Sequence, residues 1–151
     1  MSKKCKNSTN SKRKIASACY MPEESKIPRA EADNSNLFIE FKVDQMDVEG
    51  PYGWNKFDPS CQKEFLQKIF ETQKLTWQII AEKGSHSVSI NKLVHDAQKR
   101  LTEIKKDDLD DLYSFRISGK KRIWGIRERN IFWILWWDPN HEVCPSQKKH
   151  T

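Results

Sequence analysis

Residues 113–137 contain three apolar segments separated by two short turns, and this pattern constrains the fold more than any other part of the chain. The segments at 113–118, 121–128 and 131–137 are rich in the β-branched and aromatic residues that favour strands. Gly119-Lys120 and Arg129-Asn130 separate them, and Gly and Asn accept the positive φ of two-residue hairpin turns. The sequence therefore predicts an antiparallel three-stranded meander.

Two-residue turns would also fix which side chains share a face of this meander. One predicted face contains Tyr113, Phe115, Ile117, Trp124, Ile126, Trp133, Leu135 and Trp137. The other contains Arg116, Lys121, Ile123, Gly125, Arg127, Phe132, Ile134 and Trp136. We expect the first face to pack on helices, since each large aromatic side chain buries on the order of 200 Å². The second face mixes cations with aromatic side chains that we expect to be exposed.

The rest of the chain predicts an α+β domain. Alternating apolar residues in "LFIEFKV", 37–43, indicate an N-terminal strand. A helix is expected from the Asp58-Pro59 start to about residue 73, and a second from Thr76 to Gly84. The spacing of apolar residues at 91–106 suggests a third helix, and His86 is assigned to a loop. The predicted fold is thus an N-terminal strand, two or three helices, and the meander completing a small sheet.

The charge distribution separates a basic arm from the folded domain. Residues 1–35 carry eight Lys and Arg against four Asp and Glu and lack apolar periodicity, so we interpret them as a disordered arm before a single domain at 36–151. Residues 113–137 carry six cations against one anion. Such basic segments attract RNA, because phosphate contacts release condensed counterions. Charged tails are also common solubility devices, and the arm alone does not distinguish the two roles.

Basic and aromatic residues on one sheet face are the combination that single-stranded RNA recognition requires. RNA carries its own nucleophile, the 2′-hydroxyl, so cleavage needs charge stabilisation and proton transfer. The candidate catalytic residues are Arg116, Lys121, Arg127 and His141. The candidate RNA-binding residues are Lys120, Arg122, Arg129, Phe132 and Trp136. A single histidine at a strand end is, however, often an ordinary surface residue.

No cofactor or metal is expected. The cysteines at 5, 19, 61 and 144 form no CxxC pair, and the acidic run at 107–111 has the composition of a solvated linker. The chain start lacks the apolar core of a signal peptide, and the longest apolar run, 131–137, is too short to cross a bilayer. These features predict a cytoplasmic protein with no membrane partner.

Four short motifs resemble the RelE/ParE superfamily of toxin-like proteins, and in particular a RelE-like branch. They are "LTW" at 75–77, "FR" at 115–116, "GIR" at 125–127 and "ILWWDPNH" at 134–141. The resemblance covers roughly residues 37–146 and leaves the arm outside. It implies the RelE-like fold, with Arg116 and Arg127 at the basic strand positions and His141 at the C-terminal catalytic position.

The resemblance also implies an activity and partners. RelE-like toxins are metal-independent mRNA endonucleases that act on the ribosome and are neutralised by an antitoxin protein. This chain departs from the pattern at Cys144, where many relatives have Tyr, and in its long arm and expanded helical region. ParE-like members act on gyrase and lack nuclease residues, so the fold alone does not decide the activity. The alternative is a non-catalytic RelE-fold module that binds RNA, the ribosome or a protein partner.

Overall fold

The computed structural model describes residues 36–146, so the predicted arm at 1–35 lies outside the described part of the chain. In chain order the regular elements are β1 (Glu40–Lys42), α1 (Gln62–Thr72), α2 (Trp77–Glu82), β2 (His86–Ser89), α3 (His95–Glu103), β3 (Asp111–Ser118), β4 (Lys121–Glu128) and β5 (Ile131–Asp138). The predicted α+β class is confirmed. No helix within residues 36–146 has the length and apolar character needed to cross a membrane.

The strands form one mixed sheet in the order β1-β5-β4-β3-β2. The predicted meander is present, with β3, β4 and β5 joined as antiparallel neighbours. Strand β1 pairs with β5 in parallel, with Glu40 opposite Ile131. The sheet has one more strand than expected, because His86, assigned to a loop, begins a segment, His86–Ser89, that pairs with β3 as an antiparallel edge strand. Four residues were too few to show a clear alternation.

The helices begin and end near the predicted residues. The Asp58 carboxylate accepts a hydrogen bond from the Ser60 amide, and Pro59 opens a short 3₁₀ turn that leads into α1. Helix α2 ends just before Gly84, whose φ of +95° suits glycine. Helix α3 is shorter than the segment at 91–106 from which it was predicted.

Both hairpin turns contain two residues, as expected, but the predicted faces of the meander are wrong. Ser118 pairs with Lys121 and Glu128 with Ile131 across the turns. Two register shifts then change the pairing, one between Arg116 and Ser118 in β3 and one at Leu135 in β5. A β-bulge adds one residue to a strand, and one added residue moves every later side chain to the opposite face relative to its neighbour.

The sheet has two apolar faces, each covered by helices. The first core, with α1 and α2, includes Trp77, Ile80, Tyr113, Phe115, Ile123, Phe132, Ile134 and Trp137. The second core, with α3, includes Leu93, Ala97, Leu101, Leu112, Trp124, Leu135, Trp136 and Val143. A strand buried on both faces needs apolar residues at consecutive positions. Burial on both faces explains the unbroken "IFWILWW" of β5 better than a strand with one buried and one exposed face does.

The loop between β1 and α1 is attached to β5 beyond the end of β1. The Asp47 amide and the Trp54 indole both donate to the Leu135 carbonyl, at 3.0 and 3.1 Å. The Asp47 carboxylate also accepts from the Trp136 indole and from two nitrogens of Arg100 in α3. Asp47 therefore connects the loop, the sheet and α3 through one buried group.

Strand β1 is less buried than its pattern suggested. Ile39 is buried, as expected, and Phe41 is partly buried against the first core. Leu37 and Val43, expected on the same face, are exposed because the regular pairing of β1 covers only Glu40–Lys42. The alternation identified the strand but overestimated its length.

Candidate phosphate-binding pocket

The β3–β4 turn presents two cations at one end of the sheet. Gly119, with φ of +45°, and Lys120 form the turn, and Lys120 is exposed. Arg122 follows at the start of β4 and is partly buried. Its Nη1 atom donates to the Gly119 carbonyl at 2.7 Å and to the Lys121 carbonyl at 3.0 Å. These bonds hold the guanidinium group against the turn and leave its other donors for a ligand.

The loop after β5 brings His141 to the same end. Asp138 ends the strand with its side chain fully buried, and its carboxylate accepts from the amides of Glu142 and Val143 at 2.8 and 3.0 Å. The Trp124 indole donates to the same carboxylate at 3.0 Å. The chain must turn sharply between Asp138 and Glu142, and His141 takes a left-handed conformation with φ of +61°.

The turn and the loop together line an open pocket of about 360 Å³. The lining residues are Gly119, Lys120, Arg122, Asn140, His141, Pro145 and Ser146. Two cations, an imidazole, an amide and a hydroxyl are all able to donate hydrogen bonds. No Asp or Glu within residues 36–146 belongs to this lining. A pocket lined by donors and positive charge is suited to a phosphate group.

The electrostatics of Arg122 point the same way. Burial lowers the pKa of Arg122, and the nearby charge of Arg116, its cross-strand partner in β3, lowers it further. The charge of Asp138 acts in the opposite direction. The charged guanidinium group is thus partly desolvated and repelled by a like charge, so an anion in the pocket would stabilise it.

The structure divides the predicted catalytic residues among different places. His141 lines the pocket, and Arg116 lies beside Arg122 in the strand register. Lys121 points to the opposite face of β4, where its Nζ atom lies 2.5 Å from Glu64 in α1. The Ser118 hydroxyl donates to the same carboxylate, and the hydrogen bonds from Lys121 and then Ser118 lower the pKa of Glu64. The structure therefore does not bring Lys121 together with His141.

Arg127 also lies away from the pocket. Its guanidinium carbon is 4.5 Å from the centre of the Trp77 ring and 5.7 Å from that of Tyr113, both in the first core. Residues five apart on a strand point to opposite faces and are separated by roughly 16 Å. The expectation that Arg127 shares a site with the residues around Arg122 and His141 is therefore wrong.

Of the predicted RNA-binding residues, Lys120 and Arg122 line the pocket. Arg129 lies in the β4–β5 turn at the other end of the strand, with φ of +55°. Phe132 and Trp136 are fully buried, one in each core. The expectation that their rings are exposed for base stacking is wrong, because helices cover both faces of the sheet.

Sequence reasoning missed three contributors to the pocket. Asn140 and Ser146 line it, and Asp138 holds the loop that carries His141. The signal for Asp138 was present in "WDPNHEV", where an Asp precedes a Pro and can accept hydrogen bonds from amides that follow. Among residues 36–146, no group of three or more His, Cys, Asp or Glu side chains lies close enough to hold a metal ion.

No known family model, no curated protein and no solved structure matches this chain. The geometry of the pocket and the sequence resemblance are therefore the two sources for a functional proposal.

Proposed function

We propose that the chain is a RelE-like, metal-independent endoribonuclease that binds the phosphate backbone of RNA in the pocket of Lys120, Arg122 and His141. The observation that carries this proposal is the convergence of two cations and one imidazole on a pocket to which the described residues contribute no carboxylate. A phosphodiester supplies the negative charge that this lining lacks. The imidazole supplies a group that transfers protons near neutral pH.

The reaction requires no external nucleophile. The 2′-hydroxyl oxygen attacks the adjacent phosphorus while its proton passes to a base, the new 2′-O–P bond forms, and the P–O5′ bond breaks. The departing 5′-oxygen takes up a proton, which leaves a 2′,3′-cyclic phosphate and a 5′-hydroxyl. Lys120 and Arg122 would stabilise the negative charge that develops on the phosphate oxygens. His141 would accept the first proton and return one to the leaving group.

Recognition in this pocket would depend on the backbone more than on the bases. The part of the lining that the structure describes contains no Phe, Tyr or Trp ring, and the two rings expected to stack on bases are buried. Contacts from Lys120 and Arg122 to phosphates are independent of sequence and weaken as salt concentration rises. We therefore expect similar affinity for single strands of different base composition.

The proposed cellular setting follows from the sequence resemblance. In that setting the chain is a cytoplasmic toxin, an antitoxin protein neutralises it, and the ribosome presents the mRNA. Neither partner is needed for the pocket to bind a phosphodiester, so the chemistry can be tested on the purified protein first.

One observation favours the second candidate, a module that binds RNA, the ribosome or a protein partner without cleaving RNA. Among residues 36–146, His141 is the only imidazole in the pocket lining, and Lys121 and Arg127 lie elsewhere. A single group must then act in both proton transfers. Cleavage and binding are therefore measured separately.

The test uses purified wild-type protein, His141→Ala and Arg122→Ala with a short fluorescent RNA. We expect His141→Ala to reduce the cleavage rate by about 100-fold or more, because general acid–base catalysis contributes on this scale, and to weaken RNA binding by only about tenfold, because one hydrogen bond to the phosphate is lost. Arg122→Ala should weaken binding itself. RNA that is bound but left intact by the wild type, alone and with ribosomes, would favour the binding module. Equal binding by all three proteins would contradict both candidates.

A further inference from the structure

Asp138 has hydrogen bonds that link the core to the loop carrying His141. Its carboxylate is completely buried, yet the described residues give it no ion pair with Lys, Arg or His. It accepts instead from one indole and two backbone amides. A buried carboxylate that accepts several N–H bonds is stabilised by those donors without a counterion.

The donors come from two different parts of the molecule. The Trp124 indole belongs to the second core and fixes the position of the carboxylate within the sheet. The amides of Glu142 and Val143 belong to the loop and lie directly after His141. Asp138 therefore fixes where the loop returns to the sheet, with His141 at the turn between the two attachment points.

The far side of the loop is attached as well. Val143 is fully buried in the second core, and its carbonyl accepts a hydrogen bond from the Val94 amide at 2.9 Å, just before α3. His141 is left with a strained left-handed backbone between two fixed points. A non-glycine residue keeps such a conformation when its surroundings enforce it, and here the Asp138 bonds are the local constraint.

We infer that Asp138 is a positioning residue, which holds His141 beside Arg122 in the pocket by capping the amides of Glu142 and Val143. This inference rests on the proposed function for its consequence but on the hydrogen bonds for its geometry. Asp138 does not line the pocket and would not touch the phosphate. Its effect on RNA would be transmitted through the position of the imidazole.

The chain offers a matched control in Asp47. This second buried carboxylate also accepts from an indole, Trp136, and from a backbone amide, Gly50, but it pairs with Arg100 and accepts no hydrogen bond from the loop that carries His141. Asp→Asn at either position replaces an accepting oxygen with a donating amide group. Both variants should be less stable than the wild type, and only Asp138→Asn should change the position of the His141 imidazole.

The experiment measures binding of a short 2′-O-methyl oligouridine, which lacks the nucleophile and is not cleaved. We expect Asp138→Asn to weaken binding about tenfold, the effect of misplacing one hydrogen bond to a charged group, and Asp47→Asn to stay within about twofold. In heteronuclear NMR spectra the imidazole signals of His141 should shift in Asp138→Asn and remain in place in Asp47→Asn. This combination separates positioning from a general loss of stability.

Other outcomes separate this inference from the proposed function. If His141→Ala and Arg122→Ala weaken binding while Asp138→Asn behaves like Asp47→Asn, Asp138 has no positioning role and the proposed function stands. If the wild type binds no better than Arg122→Ala, the proposed function fails and the NMR comparison alone decides the role of Asp138.

A measurement on the wild type covers the case in which Asp138→Asn does not fold. Amide hydrogens held by a buried carboxylate exchange slowly even in a loop. We expect the amides of Glu142 and Val143 to exchange much more slowly than that of Asn140, for which the hydrogen bonds of the described residues provide no acceptor. Equally fast exchange at all three positions would overturn the inference.

Discussion

Arg100 and Arg122 are both partly buried arginines, but their surroundings are opposite. Arg100 donates to both oxygens of Asp47 at 2.8 Å and to Glu103 at 3.0 Å, and these bonds raise its pKa. Arg122 donates to two backbone carbonyls, and burial and Arg116 lower its pKa. Within residues 36–146 it forms no ion pair.

The difference separates an arginine that stabilises the fold from one that is available to a ligand. The donors of Arg100 are satisfied inside the protein, and its charge is balanced where it lies. Arg122 is held in place by the turn, but its charge has no direct partner, and its pocket is open. A positioned cation without a carboxylate is the arrangement expected for a phosphate-binding group.

The largest expected effect is a loss of stability when Arg100 is removed. Arg100→Ala should reduce the free energy of unfolding by about 3 kcal/mol, because it leaves the Asp47 carboxylate, only 4% exposed, without its cation. Urea unfolding measures the change. Lys99→Ala, an exposed neighbour on α3, is the control and should change stability by less than about 0.5 kcal/mol. Equal losses in the two variants would show that the Asp47 pair contributes nothing specific.

A smaller effect, and one on binding, is expected for Arg122. Arg122→Ala should weaken binding of a short RNA about tenfold, while Arg127→Ala stays within about twofold, since Arg127 stacks on Trp77 away from the pocket. Fluorescence anisotropy at several salt concentrations measures both affinities. Loss of one phosphate contact should also reduce the salt slope by about 0.7 for a single strand. Comparable weakening of RNA binding by both variants would show that RNA contacts Arg127 as well as Arg122. It would contradict the proposal that RNA binds in the pocket.

The sequence predicted the parts of the fold that depend on local residue preferences. Gly119-Lys120 and Arg129-Asn130 form the two-residue turns expected of them, and Asp58-Pro59 precedes α1. Each of these features is determined by residues within one turn or helix start. The basic character of the β3–β4 turn and the position of His141 after the last strand were likewise readable from the chain.

The faces of the sheet were not predictable in this way, because they depend on long-range contacts. At the bulge of β5, the Leu135 carbonyl bonds to Asp47 and Trp54, more than 80 residues earlier in the chain. No pattern within 131–138 contains that information. The wrong sheet faces also led to a wrong grouping of the predicted site residues. The predicted face contains Arg116, Lys121 and Arg127, whereas in the structure Arg116 pairs with Arg122 across β3 and β4.

The smallest expected effect is a pH dependence of the unfolding free energy, and it arises from the ion pair between Arg100 and Asp47 alone. The Arg100 hydrogen bonds, with those from Trp136 and Gly50, lower the pKa of Asp47, against the opposing effect of burial. A carboxyl with a lowered folded-state pKa contributes stability that is complete above its unfolded pKa, near 4, and is lost as pH falls through the folded value. The difference in unfolding free energy between wild type and Asp47→Asn should therefore be constant at neutral pH and shrink below about pH 4.

Urea unfolding at a series of pH values tests this prediction. Arg122→Ala serves as the comparison. Arg122 forms no ion pair among the described residues, and its removal leaves the ion pair between Asp47 and Arg100 intact. The stability difference between Arg122→Ala and wild type should not follow the protonation of Asp47, since the carboxylate whose charge acts on Arg122 is Asp138. If it narrows in parallel with that of Asp47→Asn, the two arginines are electrostatically coupled. The division into one arginine for the fold and one for the ligand would then be wrong.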